Sequence, residues 1–135
     1  MENYFEPVMT PAQVKAISSV GLAHVGDGVY ELLCRTYLCA AGKTTVHNLH
    51  KLSVELVKAS SQAKFADKIR PLFTSEEEDY FRRGKNAHTH AAPKSASPAE
   101  YARATGLEAL FGALYLLGRR ERLNELFHIM MEEEL

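Results

Sequence analysis

Asp27 and Glu108 each interrupt an apolar segment of the sequence. Asp27 stands between two glycines in GLAHVGDGVYELL, and Glu108 is the only ionisable carboxylate from residue 104 to residue 118. A carboxylate in apolar surroundings costs several kcal/mol unless it is paired, hydrogen-bonded or bound to a cation. Because two helical segments each carry one such acid, the sequence predicts that the two acids meet.

The pair has the chemistry of a hard divalent-cation site. Histidine and cysteine do not occur at ligand spacing, and an all-oxygen pair favours Mg²⁺, which takes one or two carboxylates plus substrate phosphates. Such a site suits hydrolysis of a phosphodiester, because the cation acidifies water and stabilises the charged transition state. The neighbouring residues are small, which we expect to allow close helix packing and to leave room for a ligand. These residues are Ala23, Gly26, Gly28, Thr105, Gly106, Ala109 and Gly112.

A structural role for each acid is the alternative. A single acid on an apolar helix can lie at the rim of the core or pair with a basic side chain, as Glu31 can pair with Arg35 one turn later. The residues alone leave both interpretations open.

The stretch from Phe81 to Pro98 contains no acid and forms a local basic patch. Its cations can follow a phosphate backbone, and Asn86 can add neutral hydrogen bonds. A solvated loop with scattered charge is the alternative, and His88 and His90 lack the further ligands that a metal site would need. The four cations are Arg82, Arg83, Lys85 and Lys94.

A second candidate for phosphate binding is a predicted helix start at Ser60 or Ser61. Ser61 and Gln62 follow Lys58, and the exposed N–H groups at a helix N-terminus bind anions. Helix capping by a serine would explain the same residues equally well.

The elements that position these residues are predicted to be helices, and no alternating strand pattern is convincing. The fold class is therefore all-α. Thr74 caps one helix and the acids that follow it suit the first turn, so we interpret that acidic run as structural. Pro71 should disturb the end of the helix before it. The expected helices cover residues 11–17, 19–41, 46–57, 60–72, 75–84, 99–117 and 121–133, and 85–97 is expected to be a loop.

Composition bounds the remaining possibilities. The chain of 135 residues suits one domain over 1–135, and its net charge of −1 means that a nucleic-acid partner must be met by a local patch. Cys34 and Cys39 suit neither a zinc knuckle nor one helical face, and no signal-peptide pattern is present, so we expect a reduced, cytoplasmic protein. The apolar run 104–118 is shorter than the roughly 20 residues of a membrane span, and we expect no membrane association.

Four segments in this order resemble the Mini-ribonuclease III branch of the ribonuclease III family. They are GLAHVGDGVYE, LHK, RRGKNA and ATGLEALFGALYLLGR, and the likeness covers about residues 11–126. The resemblance implies a helical endonuclease domain that acts as a homodimer on double-stranded RNA, without a double-stranded-RNA-binding domain. It implies Mg²⁺, with Mn²⁺ as a substitute, and products with 5′-phosphates, 3′-hydroxyls and short 3′ overhangs.

The resemblance also implies a substrate and further contacts. The Mini branch matures the large-subunit (23S) ribosomal RNA precursor, and a large-subunit ribosomal protein that presents the RNA is an additional candidate partner. Lys51 of the LHK segment joins Arg82, Arg83, Lys85 and Asn86 as an expected RNA contact.

The family's acidic motifs fall on particular residues. Its GD signature falls on Gly26-Asp27 and the glutamate of its second motif on Glu108, which makes both acids the expected catalytic metal ligands. The wider family has two further acids, at positions that hold Ala23 and Thr105 here, as in the Mini branch. With two carboxylates instead of four, more of the metal's ligands must be water, and we expect modest turnover or a higher metal requirement.

Two other functions compete with this one. A non-catalytic helical module for RNA binding or ribosome assembly could keep the fold, and the loss of two family carboxylates favours that idea. A helical metal-dependent hydrolase of nucleotides would need more histidine and aspartate ligands than the sequence offers.

Overall fold

The computed structural model describes residues 1–87 and 96–132, and within those ranges every regular element is helical. This confirms the all-α prediction. The helices are α1 Pro11–Lys15, α2 Ser19–Ala40, α3 Val46–Val57, α4 Ala59–Ile69, α5 Ser75–Lys85, α6 Pro98–Leu116 and α7 Arg120–Met131, with a 3₁₀ turn at Arg70–Leu72.

Hydroxyl side chains begin most of these helices, among them the predicted cap Thr74. Each hydroxyl accepts a hydrogen bond from the backbone N–H three residues later, which satisfies a donor that has no partner within the helix. In α1, α5 and α6 the residue at that third position returns a side-chain hydrogen bond to the capping residue. The capping residues are Thr10, Ser18, Thr45, Thr74 and Ser97.

The start of α4 differs from the prediction. The helix begins at Ala59, and its N-cap residue Lys58 also ends α3, with extended backbone angles (φ −64°, ψ 151°) and no side-chain cap. Ser61 does not cap the helix, because its hydroxyl donates to the carbonyl of Glu55 at 2.6 Å. The single extended residue Lys58 thus links α3 directly to α4.

The other boundaries agree with the sequence to within about two residues. Pro71 lies in the 3₁₀ turn that follows α4, so the disturbance expected there is present. Gly42 and Gly118 follow α2 and α6, with φ values of 92° and 77°. Lys85 belongs to α5 instead of the expected loop. Residues 88–95 and 133–135 lie outside the described residues, and these include most of that loop and the expected end of α7 at Glu133.

Helix α6 is central, because α2, α4, α5 and α7 all pack against it. Its inner residues are fully buried, and Tyr30 of α2 meets Phe111 edge to face with 6.0 Å between ring centroids. This arrangement explains the long apolar run in the sequence, since a helix surrounded by others needs apolar residues on most of its faces. The fully buried members of α6 include Leu107, Leu110, Phe111 and Leu114.

Helices α2 and α6 cross with their backbones in direct contact. A Cβ atom added to Gly26 would lie 1.6 Å from the carbonyl oxygen of Glu108, and one added to Gly112 would lie 2.1 Å from the carbonyl oxygen of Leu22. No side chain fits at either distance, so only glycine permits this approach. The crossing fixes where the residues next to these glycines come together.

The acidic run at the start of α5 has the structural role that the sequence predicts. Glu77 completes the capping box with Thr74 and binds Arg122 of α7 at 2.8 Å. Glu78 binds Arg70 at 2.9 Å, and Glu76 pairs with Arg119. These ion pairs attach α5 to its neighbours in the bundle.

Two further observations bear on the expectations from composition. No helix in residues 1–87 and 96–132 has the length and apolar character that crossing a membrane requires. Cys34 and Cys39 are free thiols, and burial raises the pKa of Cys34 to about 12. The Cys34 side chain is therefore a neutral packing group at ordinary pH.

Candidate active site

The two acids that the sequence singles out lie together where α2 crosses α6. The contact between Gly26 and the Glu108 carbonyl places Asp27 and Glu108 at the same point of the crossing. Their carboxyl groups are close enough to share a hydrogen bond. Asp27 is exposed and Glu108 is partly buried, so the pair lies at the protein surface with one member set into it.

Glu108 holds its proton unusually tightly. Burial of the carboxyl group, together with the negative charge and hydrogen bond of Asp27, raises the pKa of Glu108 from 4.5 to about 8. A hydrogen bond from Gln62 opposes this shift, and the more distant charge of Glu31 adds to it. Glu108 is thus largely protonated at neutral pH when only protein groups surround it. A cation would allow both carboxylates to be ionised.

Gln62 is the third polar group at this point. The residue is 3% exposed, and its Nε2 atom donates to the carbonyl of Val57 at 2.8 Å and to Glu108 Oε2 at 3.4 Å. Its Oε1 atom is buried and has no hydrogen-bond partner. The sequence interpretation of Gln62 as a phosphate contact at a helix start misses this position. Its spacing from Phe65, Ala66 and Ile69, all buried on α4, is the signal that places it on the inner face.

The two positions where the wider family has acids contribute no ligand. Ala23 is buried and presents only a methyl group. Thr105 is also buried, and its hydroxyl donates to the Tyr101 carbonyl of its own helix at 3.0 Å. The acid pair therefore stands without further carboxylates from these positions.

The small residues give the close helix packing that the sequence predicts, but two of them do not leave room for a ligand. Gly26 and Gly112 do not provide clearance for a ligand, since a neighbouring backbone occupies that space. Gly28 has open space around it and lines an apolar cleft with Val25 and Leu32. Room for a ligand at the acid pair comes instead from its position at the surface.

The residues present fit a hard cation. The donors are two carboxylates and one buried amide oxygen that lacks a partner, all of them oxygen atoms of the kind that Mg²⁺ and Mn²⁺ prefer. Across residues 1–87 and 96–132 there is no group of three or more His, Cys, Asp or Glu residues that could hold a metal. A cation at Asp27 and Glu108 would therefore rely on water or substrate for much of its coordination.

The cations of α5 lie in its last turn, and two of them, Arg82 and Arg83, line a cleft of about 790 Å³ together with Lys15. Arg82 pairs with Asp79 at 2.6 Å. Arg83 donates to the carbonyl of Ile17 at 3.3 Å and lies over the ring of Tyr80. Both guanidinium groups are thus held in place. The cleft also contains Lys15, which is not among the expected RNA contacts, and the acids Glu76 and Asp79.

Of the remaining expected RNA contacts, Asn86 lines the same cleft as Arg82 and Arg83, whereas Lys51 and Ser61 lie on other helices. Lys51 is exposed on α3, and Asn86 is the exposed residue that ends α5. Ser61 is partly buried with its hydroxyl engaged by Glu55. Lys94, His88 and His90 lie outside the described residues.

Comparisons with known proteins agree with this arrangement. The family model of the ribonuclease III domain matches residues 21–119, which include both acids. A Mini-ribonuclease 3 from Symbiobacterium thermophilum is 48% identical, with 77% of this chain and 80% of that protein aligned. One from Clostridium tetani is 38% identical over 97% of this chain and 88% of that protein.

A solved structure supports the same relationship. A crystal structure of a Fusobacterium nucleatum protein superposes with a TM-score of 0.81 at 32% identity, covering 91% of this chain and 98% of the other. The family model, the curated relatives and this structure agree in fold and extent. The chain therefore belongs to the ribonuclease III family, in its Mini-ribonuclease III branch.

Proposed function

We propose that the chain is a Mg²⁺-dependent endoribonuclease that hydrolyses phosphodiester bonds in double-stranded RNA, with Asp27 and Glu108 as its catalytic residues. The observation that carries the proposal is the contact of these two acids at the α2–α6 crossing, beside a buried amide oxygen that has no partner. If the two acids served only the fold, we would expect a basic side chain to pair with them. Within the described residues, Gln62 is instead the only neighbour that donates a hydrogen bond to Glu108.

Asp27 and Glu108 would hold Mg²⁺, with Mn²⁺ as a substitute. When bound, the cation supplies acidified water and stabilises the charge that develops on the phosphate. Glu108 would bind the cation as a carboxylate, since the pKa of about 8 reflects burial and the charge of Asp27 without a cation. Since Ala23 and Thr105 provide no carboxylate, modest turnover or a high metal requirement follows.

The surface near the end of α5 is the proposed RNA-binding region. Arg82, Arg83, Lys85 and Asn86 would contact the phosphate backbone, with Lys51 and Lys94 as further contacts. Duplex RNA is recognised mostly through its shape and backbone, so we expect little sequence readout. Ser61 and Gln62 are weaker candidates for RNA contacts, because their side chains donate hydrogen bonds to other atoms of the protein.

A second copy of the chain is the proposed partner at the apolar cleft of α2. The cleft of about 570 Å³ is lined by Phe5, Val25, Val29 and Leu32, and Phe5 and Leu32 are 81% and 58% exposed. Exposed apolar patches of this kind mark interaction surfaces. The activity itself favours self-association, because one chain offers one acid pair and cleavage of both strands across a minor groove requires two.

The proposed natural substrate is the large-subunit (23S) ribosomal RNA precursor, and the proposed additional partner is a large-subunit ribosomal protein that presents the RNA. The support is the relationship to the Mini-ribonuclease 3 proteins. Mapping the ends of ribosomal RNA precursors in cells that lack the protein tests this directly. Unchanged precursor ends would point to another RNA.

A cleavage assay tests the activity. Purified protein is incubated with double-stranded RNA in EDTA, Mg²⁺ or Mn²⁺, and we expect products with 5′-phosphates only when a cation is present. Asp27→Asn should abolish cleavage while the helical content and RNA binding persist. Asp67→Asn is the matched control, because it makes the same chemical change at an exposed acid paired with Arg103.

The assay also separates the alternative function. RNA binding without cleavage under all cation conditions would favour a non-catalytic RNA-binding module. Cleavage that survives Asp27→Asn would show that the acid pair is not the active site.

A further inference from the structure

The side-chain amide of Gln62 is held rigidly in one orientation. Its Nε2 atom donates to the Val57 carbonyl at 2.8 Å, and the reversed amide would place two oxygen acceptors against each other there. Its backbone is fixed as well, since its N–H donates to the carbonyl of Lys58 at 3.0 Å, at the single residue that joins α3 to α4. Gln62 therefore cannot reorient to satisfy a different set of partners.

This orientation leaves the Gln62 Oε1 atom without a partner in a buried position. A buried oxygen without a hydrogen bond is unfavourable, and most such atoms in native proteins have a partner. Oε1 belongs to the same planar amide as Nε2, which lies 3.4 Å from Glu108 Oε2. The amide that carries the unsatisfied oxygen therefore lies beside the carboxyl group of Glu108.

A neutral oxygen has a chemical advantage at this position. Two carboxyl groups already meet at the α2–α6 crossing, and a third carboxylate would add repulsion between like charges. An amide oxygen can bind a hard cation, or one of the cation's water ligands, without adding negative charge. The positions of Ala23 and Thr105 contribute no ligand, so the amide supplies an oxygen that they do not.

We propose that Gln62 is part of the divalent-cation site, where Oε1 binds the cation or one of its water ligands and Nε2 positions the Glu108 carboxylate. This inference rests on the proposed function, because it assumes that Asp27 and Glu108 hold a cation. It replaces the role of Gln62 as a phosphate contact at the start of α4.

Direct measurement of Mn²⁺ binding to the RNA-free protein tests the proposal without relying on activity. Calorimetry or electron paramagnetic resonance gives the dissociation constant for wild type, Gln62→Leu and Asp27→Asn. We expect Gln62→Leu to weaken Mn²⁺ binding roughly tenfold, the effect typical of losing a group that orients metal ligands. Circular dichroism verifies that each variant is folded.

Tyr30→Phe is the matched control. Gln62→Leu leaves the Val57 carbonyl without its side-chain donor, and Tyr30→Phe does the same to the neighbouring Leu56 carbonyl, which the Tyr30 hydroxyl binds at 2.6 Å. Both changes weaken the end of α3, but only one removes an amide beside the acids. Tyr30→Phe should therefore keep the wild-type Mn²⁺ affinity.

A second variant keeps the test decisive if Gln62→Leu does not fold. Gln62→Ala removes the same amide with a smaller side chain that suits a helix, and we expect it to weaken Mn²⁺ binding by a similar factor. Wild-type Mn²⁺ affinity in either folded variant would overturn the role of Gln62. The Asp27→Asn variant separates the two proposals, because unchanged Mn²⁺ affinity in that variant would overturn the proposed cation site itself.

Discussion

The backbone of Gly26 lies against the backbone carbonyl of Glu108, and this contact brings the two acids together. A Cβ atom at Gly26 would be 1.6 Å from that oxygen, so Gly26→Ala must push α2 and α6 apart. We expect a loss of several kcal/mol in the free energy of unfolding. Urea denaturation followed by circular dichroism measures it.

Gly28→Ala is the control for this prediction. Gly28 lies on the same helix, and an added Cβ atom there would have no neighbour within 4 Å. Alanine favours a helix interior over glycine by roughly 1 kcal/mol, so the stability of Gly28→Ala should be equal to or above that of wild type. Equal stability of the two alanine variants would contradict the close crossing.

The pKa of Glu108 predicts how pH affects the cation-free protein. The folded state raises this pKa from 4.5 to about 8, so folded protein binds the proton more tightly than unfolded protein. The resulting stabilisation is complete below the unfolded pKa and is lost as pH rises through about 8. In EDTA, the stability of wild type relative to Glu108→Gln should fall between pH 4.5 and 8, as measured by thermal unfolding.

Addition of Mg²⁺ should act in the opposite direction. Because the cation competes with the proton on Glu108, its stabilising effect should grow as pH rises and become constant above about pH 8. Asp27→Asn should reduce both effects, since it removes a charge that raises the pKa. A stabilisation by Mg²⁺ that is independent of pH would contradict the coupling.

The sequence contains most of the information about the fold, because capping residues and apolar periodicity are local signals. Thr74 and Ser97 mark the starts of their helices as they do in other proteins, and Pro71 marks an end. The start of α4 is not predictable in this way. It depends on the extended conformation of Lys58 and on a hydrogen bond from Ser61 to Glu55, which connects residues in different helices.

The site is only partly predictable, for a related reason. Apolar surroundings identify Asp27 and Glu108 as unusual acids. The sequence does not reveal that the backbone of Glu108 occupies the space beside Gly26. The amide of Gln62 faces Glu108 only because α4 packs on α6. Pairings between distant segments are set by tertiary packing, which the local pattern does not encode.

The ion pair of Glu77 with Arg122 predicts sensitivity to acid. Burial opposes ionisation of Glu77, yet hydrogen bonds from Arg122 and Thr74 hold its pKa below 4.5. The pair therefore stabilises the protein above that pH, and the stabilisation is lost as pH falls through the lowered pKa. Glu77→Gln should cost about 3 kcal/mol at pH 7, with a smaller difference from wild type in acid.

Thermal unfolding at pH 7 and pH 3 measures this difference. Glu121→Gln is the control, since Glu121 is an exposed acid in the first turn of α7. It should change the free energy of unfolding by less than about 0.5 kcal/mol at either pH. A Glu77→Gln effect that is equally small would show that the buried ion pair contributes little.

The exposed Leu32 predicts the oligomeric state. Leu32→Glu places a charge in the apolar cleft of α2 and should convert a dimer to a monomer, measured by sedimentation. Val46→Glu is the control, because Val46 is also strongly exposed but does not line that cleft. Sedimentation of wild type as a monomer at all concentrations would contradict the proposed partner.

The last turn of α5 predicts how salt affects RNA binding. Replacing Arg82, Arg83 and Lys85 together by glutamine removes three cations from the proposed backbone contact. Each phosphate contact that is lost should lower the magnitude of the slope of log K against log salt by about 1, so the magnitude for the triple variant should fall by about 2 to 3.

Lys68→Gln is the control for this prediction. Lys68 donates to the carbonyl of Glu132 near the end of α7, away from the last turn of α5, and its replacement should leave the slope unchanged. If the triple variant binds duplex RNA with the wild-type slope, the RNA does not lie along α5.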